Sequence, residues 1–125
     1  MTLEVLLGLA AAASFIGFGL AVSAGVTVEQ PWRLPLAAWA GFVVLSAIAA
    51  LELGPFGFAV EHTRNLWSSQ ITFDFLLFAS VAWAFVAPRA RRQGMRLAPW
   101  FVATAILGSL GFLLFVARLL YLERR

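Results

Sequence analysis

Four apolar stretches, each close to the length of a bilayer crossing, govern what this chain can fold into. They cover about 3–24, 35–53, 69–87 and 98–122. A helix needs roughly 20 apolar residues to cross a hydrocarbon core ~30 Å thick. With 125 residues in all, 62% hydrophobic and 12% charged, a water-soluble fold could not hide that surface. Domains of this size bury only about 60–70% of what they expose unfolded. The expectation is an all-α integral membrane protein: one transmembrane domain over 1–125, built as a four-helix bundle with short loops.

The punctuation fits helices. Pro31 and Pro35 bracket the start of the second stretch and Gly54-Pro55 closes it. Pro88 is expected to stop the third, and Pro99 falls in the first turn of the fourth. Trp32, Trp67, Trp100 and Tyr121 lie beside segment ends, as interfacial anchors do, while Trp39 and Trp83 lie deeper, where they pack or line a pocket. The stretch 54–68 is too short to cross and reads as a loop or short helix at the interface. The first segment is expected to be retained, not cleaved as a signal peptide. Its start, Met-Thr-Leu-Glu, has no positive charge, and the apolar run is long for a signal core.

Composition excludes several chemistries. The chain has no cysteine, which removes disulfides, thiolate metal sites and thiol catalysis. The single histidine, His62, cannot form a multi-histidine metal site within one chain, so no metal is expected. The net charge of +3 rests on arginine alone. In a membrane chain that pattern marks lipid headgroups rather than nucleic acid.

Four alternating crossings put the arginine loop 89–96 on one face with the 24–32 loop. Loop 54–68 and both termini then fall on the other. The loop holds Arg89, Arg91, Arg92 and Arg96, and is expected to be either a solvated positive-inside loop or a grip on anionic headgroups or a partner's acidic surface. The positive-inside rule places it in the cytoplasm of a bacterial inner membrane, with both termini outside. Arg64, Arg118, Arg124 and Arg125 then face the other way, so the two faces nearly balance.

Asp74 is the residue that most needs explaining. A carboxylate in an apolar crossing costs roughly 2.5–3.5 kcal/mol at mid-bilayer on insertion scales. The four-crossing plan sets Glu52, Asp74 and Arg118 at one rim, beneath a loop bearing Glu61, His62 and Arg64. One reading is a ligand pocket in which Asp74 and Glu52 are the catalytic candidates, an acid/base pair with Arg118 as anion clamp. The plainer reading is an Asp74–Arg118 ion pair that fixes helix packing, with Glu52 reaching the headgroups. His62 is a candidate ligand for a metal, haem or chlorin, or a solvated loop side chain.

Small residues suggest close helix approach. Ala13 and Gly17 make a small-xxx-small pair on the first helix. Thr104, Gly108, Gly111, Phe115 and Arg118 form one face of the fourth. Both serve packing within the chain, a homo-oligomer, or a groove for a lipid tail or pigment.

The stretch 73–118 resembles a family of small bacterial four-helix membrane proteins classed as a domain of unknown function. The matching pieces are the run Phe73-Asp74-Phe75-Leu76-Leu77-Phe78-Ala79-Ser80, the loop Arg91-Arg92-Gln93-Gly94-Met95, Trp100, and Leu107-Gly108-Ser109-Leu110-Gly111. The resemblance implies that Asp74 and the arginine loop are family features; it implies no activity. The plan is also similar, at the level of fold alone, to small membrane proteins of carotenoid pathways.

Three functions follow as expectations. The first is a non-catalytic accessory subunit of a larger membrane complex, contacting lipid, carotenoid or chlorin. The second is a membrane enzyme acting on an isoprenoid or lipid through Asp74 and Glu52. The third is a small dimeric transporter, which lacks the acidic residue midway along its first helix that small multidrug exporters carry.

Overall fold

The computed structural model describes residues 2–125 and contains helices only among them. They are α1 (Leu3–Ser23), α2 (Arg33–Leu53), α3 (Gly57–His62), α4 (Leu66–Arg92), α5 (Leu97–Leu107) and α6 (Ser109–Glu123). Three of them, α1, α2 and α4, are long and apolar enough to cross a membrane. The stretch 54–68 holds the short helix α3, as expected of an interfacial segment.

The expected fourth crossing is broken. In place of one helix over 98–122 there are α5, of 11 residues, and α6, of 15 residues. Between them Gly108 adopts φ 57° and ψ −128°, the mirror image of an extended conformation that L residues favour, so glycine alone holds it without strain. The turn keeps its hydrogen bonds: Gly108 N–H donates to Thr104 O at 2.8 Å, and Phe112 N–H donates to Gly108 O at 3.1 Å.

Past the turn the chain folds back on itself. Gly111 is buried against α5, so close that a Cβ there would lie 2.5 Å from the Ala103 carbonyl oxygen. Trp100 and Phe115, which would be about 22 Å apart along one straight helix, have ring centroids 5.7 Å apart.

This reversal decides where the C-terminus goes. The end of α6 lies beside the start of α2 and the end of α4. The Trp32 and Tyr121 rings meet edge to face at 5.8 Å, and Arg89 Nε donates to Glu123 Oε1 at 2.9 Å. The C-terminus therefore shares an end of the molecule with loop 89–96. The expectation that the C-terminus lies opposite that loop is overturned, because α5 and α6 are not one crossing.

The core sits at this end. Ala90, Phe115 and Leu119 are its buried centre, with Trp83, Met95, Trp100 and Phe112 packed around them. Trp83 stacks on Phe115 at 4.8 Å and meets Phe101 edge-on at 5.3 Å. Trp83 thus packs inward as expected, but Trp100 belongs to the core and is no interfacial anchor. On α2, the half-buried residues Pro35, Trp39, Val43 and Ser46 recur at helical spacing and form the stripe that lies on α6.

Pro88 does not stop α4, which continues to Arg92. The extra turn buries Ala90, and three basic residues, Arg89, Arg91 and Arg92, suit its negative dipole end. It ends at a Schellman cap. Gly94, at φ 73°, donates to Arg91 O at 3.0 Å, and Met95 N–H donates to Ala90 O at 3.0 Å. Met95 then packs on the core.

By contrast α1 has no buried residue and makes no substantial contact with another helix.

Candidate functional site

The fold-back dismantles the expected Glu52–Asp74–Arg118 rim. Glu52 lies in the last turn of α2, at the end opposite Trp32. Asp74 lies about two turns into α4 from that same end. Arg118 lies in the second half of α6, toward Glu123, which is bonded to Arg89 at the far end of α4. All three are exposed. Among the described residues, neither Asp74 nor Glu52 has an ion-pair partner.

The helix face tells where Asp74 points. Thr72, Ala79, Trp83, Val86 and Ala90, with Ser68, Ser69, Ala82 and Ala87 flanking them, are the at least partly buried residues of α4 and mark its inward side. Asp74 lies on the opposite side, between Ile71 and Phe78, which are 61% and 70% exposed. These three, at spacings of three and four, form one outward-facing surface.

The loop residues pair among themselves. Arg64 Nη1 donates to Glu61 Oε2 at 3.3 Å, and both side chains are more than half exposed. His62 Nδ1 lies 2.6 Å from the Phe58 carbonyl oxygen one turn back, so that nitrogen carries the proton and donates. Asn65 caps α4, its Oδ1 accepting from Ser68 N–H at 2.9 Å. Thr72 Oγ1 donates to Ser68 O at 2.8 Å and sits 3.5 Å from His62 O, tying α3 to α4. An open dent lined by Glu61, His62, Ser68 and Ile71 lies here. No group of three or more His, Cys, Asp or Glu positioned for a metal ion occurs among the described residues.

At the other end the arginine loop is ordered by the core beneath it. Arg89 makes a two-point contact with Glu123, its Nη2 donating to Oε2 as its Nε donates to Oε1. Arg91, Arg92 and Arg96 are exposed. Ala13 and Gly17 are exposed too, with open space around Gly17, so they pack against nothing in their own chain. Gly111 does serve close packing, against α5, and Gly108 serves the turn.

Two features escaped the sequence reading. Glu123 was not singled out as the partner of Arg89, because the four-crossing plan put it on the opposite face. The run Arg91-Arg92-Gln93-Gly94-Met95 carries a legible helix-stop signal: basic last turn, then glycine, then an apolar residue. Compared with protein-family models, curated proteins and solved structures, the chain matches none.

Proposed function

We propose that this chain is a non-catalytic integral membrane subunit that docks onto another membrane protein through the Asp74 face of α4, in a bacterial inner membrane with loop 89–96 in the cytoplasm. The observation that carries this reading is Asp74 itself. It faces outward from an apolar helix, with exposed Ile71 and Phe78 on either side and no ion-pair partner among the described residues. Lipid tails offer such a carboxylate nothing, whereas a hydrogen-bond donor on a neighbouring polypeptide offsets its cost. The unpacked α1, with Ala13 and Gly17 open to close approach, gives the same partner a second surface.

The catalytic pair Asp74–Glu52 has weaker support, since Glu52 and Asp74 face lipid or solvent without converging on a pocket. The test is photo-crosslinking in the native membrane from positions 71 and 78. Crosslinks to one discrete polypeptide, lost in Asp74→Leu but kept in Glu61→Gln, are expected. Adducts to lipid alone at both positions would refute the subunit reading.

A further inference from the structure

We infer that α5 and α6 form a re-entrant helical hairpin, which enters and leaves the bilayer on one side, and that it completes an arginine collar for anionic phospholipid headgroups. The inference rests on the membrane-spanning reading of α1, α2 and α4 and is independent of the docking partner proposed above.

Length comes first. At about 1.5 Å per residue α5 reaches only ~16 Å, about half of the hydrocarbon core. A turn at that depth survives only when its backbone groups are satisfied or covered by protein. Gly108 meets this: its N–H and C=O both bond within the chain, and a Cβ on it would sit 4.0 Å from the Phe75 ring. Gly111 lets the α6 backbone lie on that of α5, so neither strand of the hairpin tip is left to lipid alone.

Charge is the independent observation. With 9 basic residues in the chain, a fourth crossing would divide them almost evenly between the faces. The hairpin gathers all but Arg64 at one end. Arg89, Arg91, Arg92 and Arg96 lie in or beside the α4–α5 connection, and Arg33 starts α2. The returning α6 brings Arg124 and Arg125 to this end, with Arg118 exposed in its second half. Their acidic company is Glu29 and Glu123, and Glu123 is already engaged with Arg89. Trp32 and Tyr121 brace the rim: Arg33 lies over Trp32 and Arg125 over Tyr121, each 5.4 Å from the ring centre.

Planar guanidinium groups in this number, mostly exposed and held on rigid helix ends, match phosphodiester oxygens in geometry and in charge. Each basic group near an anionic leaflet adds to the attraction. The ligand is therefore the headgroup of an anionic phospholipid such as phosphatidylglycerol.

Two measurements test this on the full chain. Because it lacks cysteine, single cysteines report sidedness cleanly. With a membrane-impermeant maleimide, Gln93→Cys and Arg125→Cys are expected to label from the same side, and Pro55→Cys from the other. Labelling of Arg125→Cys together with Pro55→Cys would overturn the hairpin. If 93 and 125 both label from outside, the hairpin holds and the cytoplasmic orientation proposed above fails. For the lipid, native mass spectrometry of the protein from mixed phosphatidylglycerol and phosphatidylcholine micelles is expected to show preferential retention of phosphatidylglycerol. The combined change Arg91→Gln, Arg92→Gln, Arg124→Gln, Arg125→Gln should reduce that preference about tenfold or more, with Arg64→Gln leaving it intact. Equal retention of the two lipids by the unaltered protein, or an equal loss in Arg64→Gln, would overturn the collar.

Discussion

Replacing Gly111 with alanine tests the fold-back at its tightest point. A Cβ on Gly111 would lie 2.5 Å from Ala103 O, 2.6 Å from Ala103 C and 2.7 Å from Thr104 N. All three are backbone atoms of α5, so no side-chain rotation relieves the clash. Restoring ordinary contact requires α6 to move off α5 by about 1 Å, and overpacking of this kind costs about 1–3 kcal/mol. Alanine recovers about 0.5–1 kcal/mol through helix propensity, so Gly111→Ala should destabilise by about 1–2 kcal/mol net. Gly41 is the internal control: it lies within α2, exposed, with nothing within 4 Å of its Cβ position. Gly41→Ala should be neutral or slightly stabilising. The assay is unfolding of the detergent-solubilised protein by titration with sodium dodecyl sulfate, followed by tryptophan fluorescence. Trp83 and Trp100 report on it, because both pack on Phe115 at the base of the hairpin. Equal midpoints for Gly111→Ala and Gly41→Ala would refute the close approach of α6 to α5, and with it the hairpin.

Other consequences can be checked in the same assay. Phe115→Ala removes a fully buried ring stacked on Trp83 and should cost about 3–5 kcal/mol, with a shift of the tryptophan emission. Gly94→Ala forces a side chain into the positive φ of the α4 cap and should cost about 1–2 kcal/mol; an unchanged midpoint would count against the cap. A double-mutant cycle on Arg89 and Glu123 should give a coupling of only about 0.2–1 kcal/mol, since the pair is partly exposed. A cycle on Asp74 and Arg118, which lie toward opposite ends of the bundle, should be additive within about 0.5 kcal/mol; a larger coupling would restore the ion pair.

Much of the architecture is legible as apolar length. The candidate spans α1, α2 and α4 follow from long apolar runs bounded by proline, glycine and tryptophan, and a short helix in 54–68 follows from its apolar start. What periodicity does not reveal is direction. Thr104, Gly108, Gly111 and Phe115 lie on one face if the helix is straight, yet the same glycines allow a reversal, and a local pattern cannot choose between the two. The reversal is decided by contacts distant in sequence: Trp83 with Phe115, Trp32 with Tyr121, Arg89 with Glu123. Pro88 misleads for a related reason. Its missing N–H weakens α4, but burial of Ala90 just beyond it, on the Phe115 and Leu119 core, outweighs that loss.

Charge supplies the constraint that periodicity lacks. Under four crossings the arginines divide almost evenly between the faces, and the positive-inside rule has little to act on. Under the fold-back they gather at one end, leaving Glu52, Glu61 and Asp74 toward the other with Arg64 as the one arginine there among the described residues. An even division of arginines between two short-looped faces is thus itself a reason to question the count of crossings. The same step isolates Asp74. Once Arg118 moves to the far end, the one arginine on its side among the described residues is Arg64, already paired with Glu61. A carboxylate without an ion-pair partner among the described residues, on an outward helix face, fits the proposed docking onto a hydrogen-bond donor of another polypeptide.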